Sequence, residues 1–183
     1  MILGCRRILI AALGVLADFE FRFRGHARNP RIRMLQWRLL RIESRLPISI
    51  GHEIYIRNEG NLRIGSRCAI GSFCKIWNYC PVTIGDDFLS AGLLTMNTGG
   101  HDIETLQPQT KEIRIGNRVW VGLNVTILAG VTIGDDAVIA AGSLVCDDVP
   151  AKCLVMGIPA KPRRFLSRSD KADLWSWTQE IKR

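Results

Sequence analysis

The sequence has no CxxC pair, although cysteine stands at positions 5, 68, 74, 80, 146 and 153. This absence argues against a zinc knuckle or a thioredoxin-like redox site. Histidine is scarce as well, with only His26, His52 and His101. Their wide spacing argues against a three-histidine zinc site. We therefore expect no bound metal.

Lysine and arginine are numerous, but they form no long run. The 183 residues carry a formal net charge of +8. Dispersed positive charge suits an anionic partner, such as a nucleotide-like cofactor, an acidic glycan, nucleic acid or an anionic membrane surface. It suits a simply solvated basic surface equally well. Of these partners we do not expect nucleic acid.

The sequence also lacks an apolar run long enough to span a bilayer. Residues 8–17 follow Arg6 and Arg7 and superficially resemble a signal peptide, but the run is short. Residues 1–47 have the pattern of a helical, basic cap. We expect this cap to pack on the body or to lie peripherally at the inner membrane, in a cytoplasmic protein.

What the sequence does contain is an aliphatic residue at every sixth position. The longest unbroken series is Ile115, Val121, Ile127, Ile133, Ile139 and Val145. Four positions after most such residues lies a second small or apolar residue, and Cys68, Cys74 and Cys80 are among these. Their spacing of six predicts that the three cysteines occupy equivalent inward positions on successive strands. Each hexapeptide then supplies a short strand and a turn, and stacked coils bury one apolar column. The pattern predicts a mainly β protein, a parallel β-helix over residues 48–150.

Two segments break the period. Residues 97–112 are polar and contain Pro108, which predicts a loop that leaves the solenoid. The earlier series Ile64, Ile70, Ile76 and Val82 is displaced by two positions from those beside it. After Pro150 the repeat ends, and residues 151–183 are predicted to form a tail and a C-terminal helix, with Ser169 as its N-cap.

The runs VTIGDD, HD, IRIGNRVWVGLNVTILAGVTIGDDAVIAAGSLVCDDVP and GIPAKP resemble the left-handed β-helix, or hexapeptide-repeat, acetyltransferases. The resemblance covers roughly residues 48–164 and is greatest to O-acetyltransferases of bacterial exopolysaccharide and lipopolysaccharide synthesis. It implies a left-handed coil with three strands per turn and a homotrimer with active sites between subunits. It also implies acetyl-CoA as the donor and direct transfer to a hydroxyl of a sugar or glycan.

His101 matches the catalytic position of that family. A hydroxyl that attacks a thioester must lose its proton, and a neutral imidazole suits this task near pH 7. Asp102 is a candidate to orient the imidazole by accepting from its second nitrogen, and a backbone carbonyl would serve equally. Without the resemblance, His101 would be interpreted as an ordinary surface-loop histidine.

The resemblance also marks residues that would hold the donor. They are Trp120 in the VWVG segment, the small residues Gly122, Ala140 and Gly142 along the coil, and Lys161, Arg163 and Arg164 near the adenosine phosphates. Each has a plainer interpretation: a packing aromatic, turn glycines and a solvated basic tail.

Two positions depart from the family. Phe73 stands where the galactoside acetyltransferases have an asparagine that contacts the acceptor, and Ile158 replaces the asparagine of the GNPAK motif. Two alternatives to a glycan acetyltransferase remain: an acetyltransferase for xenobiotics or other small molecules, and a non-enzymatic β-helix scaffold. A γ-type carbonic anhydrase is disfavoured, because it needs three zinc histidines.

Overall fold

The computed structural model describes residues 42–45, 47–51 and 53–167, which wind into a parallel β-solenoid of about six turns. Each turn adds strands to three sheets, named A, B and C in the order in which the chain meets them. Sheet A consists of β1 (Ile42–Ser44), β4 (Leu62–Ile64), β7 (Val82–Ile84), β12 (Ile113–Ile115) and β15 (Thr132–Ile133). The prediction of a mainly β parallel β-helix is confirmed, and the architecture is consistent with a left-handed coil.

The other two sheets follow the same plan. Sheet B consists of β2 (Ile48–Ile50), β5 (Cys68–Ile70), β8 (Leu89–Ser90), β13 (Trp120–Val121), β16 (Val138–Ile139), β18 (Cys153–Gly157) and β19 (Ala160–Phe165). Sheet C consists of β3 (Tyr55–Asn58), β6 (Lys75–Asn78), β9 (Thr95–Asn97), β14 (Thr126–Ile127) and β17 (Leu144–Val145). Strands within a sheet are parallel, except that β19 turns back antiparallel to β18.

The interior of the coil is an apolar column, as the six-residue period predicts. All six members of the series from Ile115 to Val145 are buried, and so are the residues four positions after them. Burying one such aliphatic side chain stabilises the fold by roughly 1.5–3 kcal/mol. Because every turn contributes a similar set, the stabilisation is spread along the solenoid.

The recurring TIGDD motif forms the corner between sheets A and B. There a side-chain oxygen of one coil accepts a backbone N–H of the adjacent coil. Asp86 Oδ1 accepts from Ser66 at 2.8 Å, Asn117 Oδ1 from Asp86 at 2.9 Å, and Asp135 Oδ1 from Asn117 at 2.7 Å. The Ser66 N–H bond holds the pKa of Asp86 below its ordinary range. The motif therefore ties neighbouring coils together.

The next position at the same corner carries a charge ladder, formed by Arg67, Asp87, Arg118 and Asp136. Arg67 pairs with Asp87 at 2.6 Å and Arg118 with Asp136 at 2.7 Å, and each pair joins two adjacent coils. All four residues have φ between 54° and 61°, so the corner holds them in the left-handed region. The Asp136 side chain is only 5% exposed, so Arg118 compensates a nearly buried carboxylate.

Within the described residues, coil length varies at one corner only. Between buried residues on either side of the A–B and B–C corners the step is four positions, as from Ile64 to Cys68 and from Ile70 to Cys74. At the C–A corner the step is six from Ile76 to Val82, seventeen from Met96 to Ile113, and four from Ile127 to Val131. The six-residue steps produce the two-residue displacement seen in the sequence.

The length of the C–A corner also gives Cys80 a different environment from Cys68 and Cys74, although the three share the repeat spacing. Cys68 and Cys74 are fully buried, and burial raises the pKa of the Cys68 thiol to about 11. Cys80 lies in the longer C–A corner and is only partly buried. The prediction that all three occupy equivalent inward positions is therefore wrong for Cys80.

The solenoid extends beyond both predicted boundaries. Strand β1 pairs with β4 in sheet A, so the coil includes residues before 48. At the other end β18 pairs with β16, so the coil continues past residue 150. Strand β1 carries Ser44 where the six-residue series before Ile50 would need an aliphatic residue, and β18 begins a last turn that adds no strand to sheet C. Within the predicted helical cap 1–47, residues 42–44 form a strand and no helix, which corrects that part of the prediction. The cap before residue 42 and the C-terminal helix after 167 lie outside the described residues.

Candidate active site

The polar segment 97–112 forms a β-hairpin at the C–A corner. Strand β10 (Gly99–His101) pairs antiparallel with β11 (Pro108–Thr110), and His101 lies opposite Pro108. The loop predicted from sequence is thus an ordered excursion with its own hydrogen bonds. Every residue from Ile103 to Lys111 is exposed, so the hairpin projects from the solenoid and does not pack into it.

Thr98 anchors the base of this hairpin. Its side chain is fully buried, and Oγ1 accepts from the backbone N–H groups of Tyr79 at 2.9 Å and Cys80 at 3.2 Å. The Thr98 carbonyl accepts from the Lys111 N–H at 2.9 Å, which closes the base. Sequence reasoning missed Thr98, because one threonine in a polar segment gives no sign of being buried.

His101 is exposed on β10, and its ring is oriented by a backbone group. Nδ1 lies 2.8 Å from the carbonyl oxygen of Leu106. A carbonyl oxygen only accepts, so this contact assigns the proton of the neutral ring to Nδ1. The lone pair is then on Nε2, the nitrogen available to take a proton from another molecule.

Asp102 does not contact the imidazole in this way. Its Oδ1 accepts from the N–H and the hydroxyl of Thr105 at 2.8 and 2.9 Å and from the Glu104 N–H at 3.1 Å, and Oδ2 accepts from Gln109 at 3.0 Å. The Thr105 N–H is the main reason that the pKa of Asp102 lies below its ordinary range. The hypothesis that Asp102 accepts from the ring is therefore corrected, and the alternative of a backbone carbonyl is the one observed.

The role of Asp102 is to hold the turn that presents this carbonyl. Its own backbone accepts from the Leu106 N–H and donates to Gln107, each at 2.9 Å. The side-chain bonds to Glu104 and Thr105 close the same turn. Asp102 thus positions His101 through the Leu106 carbonyl, and is a positioning residue.

The three small residues predicted to line the donor site stack at the B–C corner. Gly122 donates to the Ile139 carbonyl at 2.8 Å, and a Cβ at Gly122 would lie 2.6 Å from the Ala141 nitrogen. Gly142 adopts φ +71°, donates to the Leu123 carbonyl at 2.8 Å, and would place a Cβ in open space. Ala140 lies between them on the chain. Of the three, Gly142 is exposed and Ala140 half-buried, whereas Gly122 is buried against the next coil.

Trp120 and the basic residues lie on the outer face of sheet B and on its last strands. Trp120 is 44% exposed, and strand pairing places it in one row with Val138, Leu154 and Arg164. Three strand spacings separate Trp120 from Arg164, or roughly 14 Å. Arg163 and Arg164 are exposed on β19.

Lys161 is already paired within the chain. Its Nζ lies 2.8 Å from Asp147, and both side chains are more than half exposed. Hydrogen bonding raises the pKa of Lys161 and lowers that of Asp147. Part of the charge predicted to face phosphates is therefore compensated here, whereas the described residues include no ion pair to Arg163 or Arg164.

His101 and the corner that holds Gly122, Ala140 and Gly142 lie at opposite edges of sheet C. The hairpin begins where sheet C meets sheet A, and Gly122 lies where sheet B meets sheet C. A single chain thus presents the two halves of the predicted site on different corners. Phe73 lies at the B–C corner, 56% exposed, and Ile158 is 75% exposed between β18 and β19.

Among residues 42–45, 47–51 and 53–167, no three histidine, cysteine or carboxylate side chains are grouped to hold a metal ion. No helix in that part of the chain has the length and apolar character needed to cross a membrane.

Comparison with known proteins identifies the repeat. The family model described as "Bacterial transferase hexapeptide (six repeats)" matches residues 112–147, and that described as "Hexapeptide repeat of succinyl-transferase" matches residues 61–93. The galactoside O-acetyltransferase of Escherichia coli is 36% identical over 123 residues, which cover 64% of this chain and 61% of that protein. The chain spans between 40% and 61% of the length of three curated relatives that it matches.

Solved structures agree with this assignment over most of the chain. A maltose O-acetyltransferase from Clostridium difficile superposes with a TM-score of 0.73 at 25% identity, covering 92% of this chain and 90% of that one. A hexapeptide-repeat acetyltransferase from Vibrio cholerae, complexed with acetyl coenzyme A, gives 0.72 at 26% identity, covering 87% and 88%. The chain belongs to the hexapeptide-repeat acetyltransferase family.

Proposed function

We propose that this protein transfers the acetyl group of acetyl-CoA to a hydroxyl of a sugar or glycan, with His101 as the general base. The observation that carries the proposal is the contact between His101 Nδ1 and the Leu106 carbonyl. It leaves Nε2 as an oriented, solvent-facing base on a scaffold whose relatives are acetyltransferases.

The proton balance of the reaction fits one imidazole. Nε2 takes the proton from the acceptor hydroxyl as its oxygen attacks the thioester carbonyl carbon. When the C–S bond breaks, the imidazolium returns that proton to the departing sulfur, so the products are the acetyl ester and free CoA thiol. Such general base catalysis contributes about 10²–10⁴-fold to the rate. The Leu106 carbonyl stabilises the imidazolium formed in this step, because the carbonyl oxygen accepts a hydrogen bond from its Nδ1.

The donor is supported by the chain's own B–C corner and basic end. The exposed backbone at Gly142, where an added Cβ would meet nothing, would let a thin pantetheine arm lie close to the coil. Arg163 and Arg164 on β19 would supply fixed charge for phosphates. The relative from Vibrio cholerae was solved with acetyl coenzyme A.

We further propose a homotrimer in the cytoplasm. His101 is exposed in the isolated chain and lies on a different corner from the donor residues, so a neighbouring chain would be needed to complete and enclose the site. Light scattering should then give a mass about three times the 20.5 kDa of one chain.

The test is acetyl-CoA turnover with simple saccharides suggested by the relatives, namely nitrophenyl galactoside and maltose. Release of free CoA thiol should depend on the saccharide, and mass spectrometry should find the sugar heavier by one acetyl group. Hydrolysis of acetyl-CoA at the same rate with and without any saccharide would contradict the proposal.

A further inference from the structure

The outer face of sheet C carries an aromatic cluster that lies outside the apolar column. Side chains alternate along its strands, and Ile56, Ile76 and Met96 point inward to the column. The outward positions hold Tyr55 on β3 and Trp77 on β6, whose ring centroids are 5.9 Å apart at a tilt of 56°. A contiguous patch of exposed apolar side chains, unlike isolated ones, marks a candidate binding surface.

Tyr79 extends this surface towards the proposed base. The Arg57 guanidinium lies 5.1 Å from the centre of the Tyr79 ring, and a Cβ on Gly99 would lie 2.5 Å from Cδ2 of that ring. Gly99 begins the strand β10 that ends at His101. Tyr55, Trp77 and Tyr79, named here the aromatic platform, therefore continue into the base of the catalytic hairpin.

The charge of this face is positive. Its outward residues are Tyr55, Arg57, Lys75, Trp77, Thr95, Asn97, Thr126 and Leu144, and none is a carboxylate. Arg57 is paired with Glu59 at 2.7 Å at the end of β3. Lys75 lies 6.0 Å from the Trp77 ring, and among the described residues it takes part in no ion pair.

We propose that the aromatic platform binds the acceptor at a distance from the acetylated hydroxyl, and that this acceptor is an extended, acidic glycan. This inference rests on the proposed function. The apolar faces of sugar rings would stack on Tyr55, Trp77 and Tyr79, and Lys75 would pair with an anionic group of the chain. Tyr55 and Trp77 lie on β3 and β6, outside the hairpin that carries His101, so the platform should favour longer acceptors.

The test uses an array of acidic and neutral oligosaccharides of graded length, probed with labelled wild-type protein, Trp77→Ala, Trp77→Phe and Lys75→Gln. We expect the wild type to prefer acidic chains of three or more sugars. Trp77→Ala should weaken this binding by about tenfold, the usual size of a stacking anchor, and Trp77→Phe should restore most of it. Lys75→Gln should remove the preference for acidic over neutral chains.

Arg63→Gln is the matched control, because it removes an exposed cation from sheet A of the same coils. Arg63→Gln should leave turnover of nitrophenyl galactoside or maltose within about twofold of wild type, because Arg63 lies on another sheet. That assay reports the proposed function by itself, so its failure is seen separately from a failure on the array.

Three results would overturn the platform. They are equal binding of short and long chains by the wild type, unchanged binding by Trp77→Ala, and absence of binding to every oligosaccharide. A fall in molecular mass for Trp77→Ala would also overturn it, because this face would then be a contact between copies of the chain.

Discussion

The hairpin 99–110 and the coils that flank it are held together by different forces. The coils bury mostly apolar residues at their inward positions, whereas the hairpin is exposed along almost its whole length. Its order comes from backbone pairing, the buried Thr98 hydroxyl and the turn closed by Asp102. Stability therefore resides in the solenoid and chemistry on an excursion, and substitutions in the two regions should separate the two properties.

The largest effect should come from His101→Ala. Loss of the base should lower kcat by about 10³-fold, within the usual range for a general base. The melting temperature should not change, because the side chain is exposed and contributes nothing to the column. Thiol release and differential scanning fluorimetry measure the two quantities. A variant that retains wild-type turnover would exclude His101 as the base.

The converse substitution is Ile127→Ala in β14. Ile127 is fully buried, so truncation should lower the free energy of unfolding by roughly 2–5 kcal/mol. Activity per folded molecule should persist, since Ile127 lies inside the column and the hairpin that carries His101 lies outside it. Chemical denaturation followed by circular dichroism measures the change, and Thr132→Ala, an exposed position on β15, is the control.

The charge ladder offers a graded test within the coils. Arg118→Gln would leave the carboxylate of Asp136 almost buried and should cost about 2 kcal/mol, less than a fully buried pair because Arg118 is 30% exposed. Arg67→Gln acts on a more exposed pair and should change the free energy of unfolding by less than about 1 kcal/mol. Equal losses would show that burial of the carboxylate does not matter.

The smallest effect is expected for Asp102→Asn. Weaker bonds to Thr105 should loosen the turn, misplace the Leu106 carbonyl and lower kcat by roughly tenfold, with little change in melting temperature. A thousandfold loss would instead indicate a direct part in proton transfer.

The pH dependence of this turn has a definite sign. Because the pKa of Asp102 is lowered in the folded protein, its contribution is present above the unfolded pKa and is lost as pH falls through the folded value. The protection of the Thr105 amide from exchange, taken relative to the intrinsic exchange rate at each pH, should therefore stay high at neutral pH and fall only below the ordinary range of an aspartate. Loss of protection at pH 6 would contradict this assignment.

Most of the coil was predictable, because a period of six residues follows directly from one strand and one turn per hexapeptide. Ile115 and its successors were placed correctly inside the column. Strands β1 and β18 were not, since Ser44 and Ala151 stand where the six-residue series would need a large aliphatic residue. The hairpin was predicted only as a loop, because its strands have no apolar alternation and gain their order from main-chain pairing.

The residues of the candidate site could be named from the sequence, but the contacts between them could not. His101 was singled out through the family motif, but its hydrogen-bond partner is a backbone carbonyl five residues away, and a main-chain atom leaves no trace in a sequence. Asp102, adjacent in sequence, turned out to serve the turn. Sequence proximity to a histidine therefore did not indicate contact with it.

The variable length of the C–A corner determines where new loops can be inserted into this protein. The other two corners advance by four positions in every described turn, but this one accepts four, six or seventeen while the column stays in register. New loops can therefore enter at this edge without disturbing the scaffold, and a protein engineer seeking to graft a different recognition element should choose the short turn between Ile127 and Val131.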